Sequence, residues 1–355
     1  NDVSDHKLFH SALQPKTAIL VFSRFRRFLD RQRMQKNTLG NSDMSLSRIG
    51  MGAWAIGGQW AWGWGAQDDK VSIDTIHEAL DSGINWIDTA PVYGLGHSEV
   101  VVGKAIRERS EKPLVFTKCG LVWDDLKNIT GALRKDSVKK ECEESLERLG
   151  LDCIDLYQVH WPNPAEDIEA AWEAMAELQG EGKIRYLGVS NFSVEQMEKV
   201  GAICPVTSLQ PPYSLAFPEV EEEILPYCHA EGIGVINYSP MASGLLTGKM
   251  TRERLASLAE DDWRRGNKNF KEPLFCRNLE LVELLRGIAG ELDCTIAEVA
   301  IAWTLLNPAV TAAIVGLRKP EQVNGVIRAG SIELTGEQLN RISAFQAAQP
   351  LAETP

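Results

Sequence analysis

From Met34 onward the chain repeats one pattern: a short apolar or β-branched run, a loop containing Gly, Asn or Pro, and an amphipathic stretch with apolar residues at helical spacing. Eight runs are predicted as strands, at 48–52, 85–88, 114–118, 154–160, 184–190, 206–210, 234–238 and 312–315. Helices are predicted between them at 71–81, 99–109, 136–149, 167–181, 194–200 and 220–231, with 279–292 and 296–306 in the longer gap before the last strand. Strands and helices alternating without a proline-rich linker predict an α/β chain folded as a single-domain (β/α)8 TIM barrel over residues 34–355. An open doubly wound sheet is the alternative. It would carry G-x-G-x-x-G after its first strand, whereas Gly50-Met51-Gly52-Ala53-Trp54-Ala55 ends in Ala and lacks a clear acidic partner downstream.

Composition enters where it excludes functions. The 355 residues carry a formal charge of −12, which argues against a broad basic face for nucleic acid, so an anionic ligand must meet a local basic site. Seven cysteines, odd in number and without a C-x-x-C pair, predict a reducing, cytoplasmic setting without structural zinc. Apolar runs are too short to span a membrane. Residues 1–33 differ from the rest, with seven basic side chains against three acidic ones, and are expected to be an upstream extension outside the barrel that precedes a natural start at Met34. The alternative is a basic arm or a targeting peptide, although Asp2 and Asp5 argue against an organellar presequence.

In a (β/α)8 barrel the chemistry sits on the loops after the strands, so the polar residues that end apolar runs matter most. Asp88 ends one run, Lys118 another and His160 a third, while Tyr93 follows Asp88 by five residues. Singly, each has a bland explanation as a rim charge or a satisfied polar tip. Together they form a proton-transfer set: an ammonium can lower a tyrosine's pKa, a carboxylate can orient the ammonium, and an imidazole can donate to a carbonyl oxygen gaining charge. No metal is implied, because the six histidines form no H-x-H or H-E-x-x-H arrangement.

The sequence resembles the aldo-keto reductase family from about Leu46 to Arg328. The resemblance rests on Gly83-Ile84-Asn85-Trp86-Ile87-Asp88-Thr89-Ala90, Tyr93 with Gly96-His97-Ser98-Glu99, Thr117-Lys118, Val159-His160, Gly188-Val189-Ser190-Asn191-Phe192 and Tyr238-Ser239-Pro240. It implies a barrel that reduces carbonyls with a nicotinamide cofactor through the tetrad Asp88, Tyr93, Lys118 and His160. It also implies that Ser190, Asn191 and Gln210 hold the nicotinamide carboxamide while Tyr238 stacks on the ring. Read locally, Ser190-Asn191 is instead a helix cap.

The resemblance further implies that the stretch from Ser239 to Lys249, with Gly244 and Gly248, faces the pyrophosphate, and that the segment with Gly316, Arg318 and Gln322 holds the adenosine end. Arg318 is the candidate for a 2′-phosphate, which implies NADPH, with NAD as the alternative. The match departs at Gly325-Val326, where many members carry Glu-Asn. The loop Gly57-Gly58-Gln59-Trp60-Ala61-Trp62-Gly63-Trp64-Gly65, with Trp54 and Trp161, is expected to wall a substrate pocket; packing among loops is the other reading. The expected partner is a small carbonyl or alcohol. A second function class stays open, a cofactor-bound regulatory subunit resembling potassium-channel β subunits. The sequence leaves the oligomeric state open.

Overall fold

The structure is a computed structural model that describes residues 34–349, so the 1–33 extension lies outside the described residues. The chain opens with an antiparallel hairpin, β1 (Lys36–Thr38) and β2 (Ser45–Ser47). The barrel strands follow: β3 (Ile49–Gly52), β4 (Trp86–Asp88) and β5 (Leu114–Cys119). A second hairpin, β6 (Leu121–Trp123) and β7 (Ile129–Gly131), interrupts them before β8 (Ile154–Val159), β9 (Ile184–Ser190), β10 (Ser208–Gln210), β11 (Gly234–Asn237) and β12 (Val310–Gly316). The eight are parallel, and pairing of β12 with β3 closes the barrel. Each lies on an expected strand, with ends that differ by no more than two residues.

The covering helices are α1 (Asp69–Asp81), α2 (His97–Arg107), α3 (Lys135–Leu149), α4 (Ile168–Gly180), α5 (Val194–Gly201), α6 (Ile224–Glu231), α7 (Arg252–Ala256), α8 (Leu274–Glu291), α9 (Ile296–Thr304) and α10 (Gly336–Ala348). The expected 220–231 helix is split into a 3-10 turn at Glu219–Glu221 and α6, because Glu223 leaves helical geometry at φ −132°. Pro226, which lacks an N–H, then falls in the first turn of α6, where none is needed. Neither α7 nor α10 was expected, although α10 carries a capping box at Thr335 and Gln338.

The pairing register places the functional end. Asp88 is level with Gly52 and Phe116, Lys118 with Gln158, Gly188 with Ser208, and Ser190 with Gln210, so positions of one parity point inward around the barrel. At the lower level the inward side chains are apolar: Trp86, Phe116, Leu156, Ile236 and Ile314 pack with Leu39, Met44 and Leu46 of the first hairpin, which plugs the end where the strands begin. Gly50 must be glycine there, because a Cβ would meet the Trp86 ring at 2.2 Å. At the upper level, where the strands end, the inward residues turn polar. The opposite parity, including Met51, Ile87, Val115, Val189 and Val235, packs beneath the helices. Among the described residues no helix is long and apolar enough to cross a membrane.

Candidate active site

Asp88 ends β4, Lys118 lies one residue before the end of β5, and His160 directly follows β8. Tyr93 sits in the turn between β4 and α2. The Lys118 side chain is 0% exposed, and its Nζ donates to Asp88 Oδ1 at 2.6 Å and to Thr89 O at 2.8 Å. A buried ammonium needs such partners, since breaking a buried pair costs about 3–5 kcal/mol. Asp88 Oδ2 accepts from Gln210 Nε2 at 2.9 Å and from Gln158 Nε2 at 3.2 Å. The Lys118 ammonium lies 5.1 Å from the centroid of the Tyr93 ring, and that ring meets His160 edge-on at 5.6 Å.

Burial dominates the protonation of this group. Desolvation and then the Asp88 charge push the Tyr93 phenol well above its usual range. The sequence suggested an ammonium that lowers the phenol's pKa; burial carries the phenol the other way, and it also lowers the pKa of Lys118 against the pull of Asp88. Burial, with Lys118 second, holds His160 well below the usual histidine value. Near neutral pH the tyrosine therefore keeps its proton and the imidazole is neutral, one an acid and the other a hydrogen-bond donor through its ring N–H.

Asp88, Tyr93 and His160 open onto a cavity of about 630 Å³ whose lining also includes Ser190, Asn191, Gln210, Tyr238, Ser239, Gly244, Gly316, Trp54 and Trp161. Lys118 lies behind that surface, and Lys249, Arg318 and Gln322 are not part of it. Ser190 Oγ donates to Gln210 O at 2.9 Å. Asn191, held at φ 62°, donates through Nδ2 to His160 O at 3.0 Å and accepts the Tyr238 hydroxyl on Oδ1 at 2.9 Å. Burial pushes that hydroxyl's pKa up to about 12. The cap of α5 is Ser193, paired with Gln196 in a capping box, so Ser190 and Asn191 are not helix caps. Gln210 spends its amide hydrogens on Asp88 and on Gln158 Oε1.

After β11 the backbone takes left-handed conformations at Ser239, Ala242, Ser243, Gly244 and Gly248, which turns successive peptides across the cavity rim. Lys249 at its end is exposed. After β12, Gln322 Oε1 accepts the backbone N–H groups of Arg318 at 2.7 Å and Lys319 at 3.0 Å, bracing its own loop. The Arg318 guanidinium donates to Gln67 Oε1 at 2.9 Å and to the carbonyls of Trp64 and Ala66 at 3.0 Å each, all neutral acceptors. Burial and then the nearby Arg264 charge lower its pKa. Arg264 is itself paired with Asp262 at 2.6 Å.

Six tryptophans line the cavity. Trp54 is their hub, edge-on to Trp64 at 5.1 Å and to Trp60 and Trp263 at 6.2 Å, and Trp60 lies 5.9 Å from Tyr93. The rings of the tryptophan loop pack on one another and on Trp54, and they line the cavity. Sequence reasoning missed Gln158, whose signal was its place two residues before His160 on one strand. It also missed Trp263, in a charged loop with no periodic pattern to mark it.

The aldo/keto reductase family model matches residues 48–347. The chain is 43% identical over 310 residues to the aldo-keto reductase YhdN of Bacillus subtilis, which covers 86% of this chain and 90% of that one. It is 38% identical to the NADH-specific methylglyoxal reductase of Escherichia coli over 316 residues, 85% of this chain and 95% of that protein. Among solved structures, the glycerol dehydrogenase AKR11B4 of Gluconobacter oxydans superposes with a TM-score of 0.83 at 39% identity, covering 91% of this chain and 99% of that one. Eight closed strands, a cavity at their ends and a family match over most of its length lead to one conclusion: the chain belongs to the aldo/keto reductase family and is an oxidoreductase.

Proposed function

We propose that the protein is an NADPH-dependent carbonyl reductase with Tyr93 as its general acid. The observation that carries this reading is the convergence of Tyr93 and His160 on one cavity, with the Lys118–Asp88 pair buried behind the tyrosine. When bound, the nicotinamide supplies a hydride at C4 for the carbonyl carbon. The neutral His160 donates a hydrogen bond to the carbonyl oxygen. Tyr93 gives that oxygen its phenolic proton as negative charge grows there, and the Lys118 ammonium stabilises the phenolate that remains. Asp88, Gln158 and Gln210 keep the ammonium in place, so its charge costs no reorganisation during the step.

The residues fit the cofactor. Gln210 lines the cavity with its amide hydrogens already committed, which leaves its Oε1 as the atom to accept from a carboxamide NH2. The Tyr238 ring is anchored through its hydroxyl, leaving a face to stack. Arg318 supports NADPH over NADH, because the partners of its guanidinium among the described residues are neutral carbonyl oxygens, so its own charge is not paired there with a carboxylate. One relative is named for NADH, so the choice of cofactor is tested directly, at this residue. The substrate class is a small carbonyl, or its alcohol in the reverse direction, in keeping with relatives named as a methylglyoxal reductase and a glycerol dehydrogenase.

The test is NADPH oxidation across aldehydes, ketones, aldoses and quinones by wild type and Tyr93→Phe. The variant is expected to lose about 10²–10⁴-fold in kcat/KM, the usual worth of a positioned acid, with NADPH affinity within about twofold. Near-wild-type turnover in Tyr93→Phe overturns the acid. Cofactor binding without turnover of any carbonyl favours the regulatory-subunit reading.

A further inference from the structure

Gln67 has no part in the reaction described above, yet its side chain joins two loops 251 residues apart. It lies at the end of the tryptophan loop, one residue before Asp68, which caps α1. Its Nε2 donates to Arg318 O at 2.9 Å, and its Oε1 accepts from Arg318 Nε at 2.9 Å. With the two guanidinium bonds to Trp64 O and Ala66 O, four hydrogen bonds tie the loop's outer end to the segment after β12.

Apart from these bonds, that end is held through the Trp64 ring, which packs on Trp54 and lies under Arg264. Gly65, at φ 77°, has no atom within 4 Å of where a Cβ would sit, and Gly58 takes φ 81° at the loop's start. Between these two the loop is compact, since a Cβ on Gly63 would meet Gly58 O at 2.4 Å. It is thus a unit with a permissive glycine at each end. From the clasp, ring contacts lead inward from Trp64 to Trp54, then Trp60, then Tyr93. Arg264 sits 4.8 Å over the Trp64 ring.

We propose that the Gln67–Arg318 clasp fixes the tryptophan loop as the outer wall of the substrate cavity, and that Gln67 is a positioning residue for substrate fit. The proposal rests on the carbonyl-reductase reading of the cavity. A wall hinged on glycines and released from its clasp populates open states, in which substrate loses apolar contact while the reacting groups keep their places. The signature is therefore a rise in KM with little change in kcat.

The experiment uses wild type and Gln67→Ala, each without and with NADPH. Hydrogen exchange of the cofactor-free proteins should show faster exchange at amides 58–67 in the variant, with the barrel strands unchanged. With 4-nitrobenzaldehyde as substrate, KM should rise about tenfold, equivalent to ~1.4 kcal/mol, while kcat stays within about twofold. Unchanged exchange in the loop overturns the proposal. A loss confined to NADPH affinity overturns it too, and assigns the Gln67–Arg318 pair to the cofactor site alone. Failure of the carbonyl-reductase reading shows separately, as wild type that turns over no carbonyl, and the exchange comparison still tests the clasp.

Discussion

Arg318 carries two demands at the residue scale. Its guanidinium has five N–H groups, three of them committed to neutral oxygens of the tryptophan loop, and those bonds hold it without cancelling its charge. A pre-organised cation of this kind is suited to a 2′-phosphate, the only chemical difference between NADPH and NADH. Arg318→Ala is expected to weaken NADPH about tenfold or more beyond any loss for NADH, because a charge-assisted contact is worth ~1.5–3 kcal/mol. Lys319 is the rival, exposed on the same loop. Dissociation constants from fluorescence quenching for Arg318→Ala and Lys319→Ala decide between them: equal losses for both cofactors at Arg318 refute its role, and a selective loss at Lys319 moves it there. At this scale the strand-end places of Asp88, Lys118 and His160 were legible, since a polar side chain closing an apolar run shows in the local sequence, although it is their combination rather than any one of them that points to chemistry. Gln158 was not, because a glutamine inside a strand reads as an outward polar residue until barrel closure shows which parity faces in.

The packing of α3 against the end of β5 is the informative case among elements. The helix was read from its amphipathic period, with Val138, Cys142, Leu146 and Leu149 on the buried face. Glu141 is also buried there, with Oε2 accepting the Gly120 N–H at 2.9 Å two residues beyond Lys118. Desolvation pushes its pKa up to about 7 despite that bond. Its folded pKa is raised above the unfolded value, so the stability it contributes is fully present below about pH 4.5 and is lost as pH rises through about 7. A shift of this size is on the order of 3 kcal/mol. Glu141→Gln keeps an acceptor for Gly120 and does not ionise. Its melting temperature is expected to gain on wild type as pH goes from 5 to 8, and a difference that stays constant across thermal scans at those pH values would refute the buried ionisation. The sequence showed the helix but not this burial, because a glutamate on an amphipathic helix ordinarily marks the solvent face.

The whole molecule divides its charge unevenly. Residues 1–33 carry net +4 on a chain whose remainder is −16. The plugging hairpin, the closed barrel and the cavity lining all fall within residues 36–316. A chain begun at Met34 is accordingly expected to keep wild-type turnover and melting temperature, measured side by side with the full chain. Collapse of either would make the extension part of the enzyme. The same scale explains the pocket mouth: Trp54, Trp161 and Trp263 follow different strands, and only closure of the barrel brings their loops around one opening.

The sequence by itself determined the strand count, the parallel alternation with helices and the strand-end positions of Asp88, Lys118 and His160, because hydrophobic period and strand termination are local properties written over a few residues. It also carried a family resemblance across most of the barrel. Tertiary structure alone decided that burial raises the pKa of Tyr93, that Gln210 and Gln158 hold Asp88, and that Arg318 grips a loop 251 residues away. Desolvation depends on which distant atoms cover a group, and a hydrogen-bond partner is whichever donor or acceptor the closed barrel brings within 3 Å or so. Neither quantity has a local period for a sequence to display.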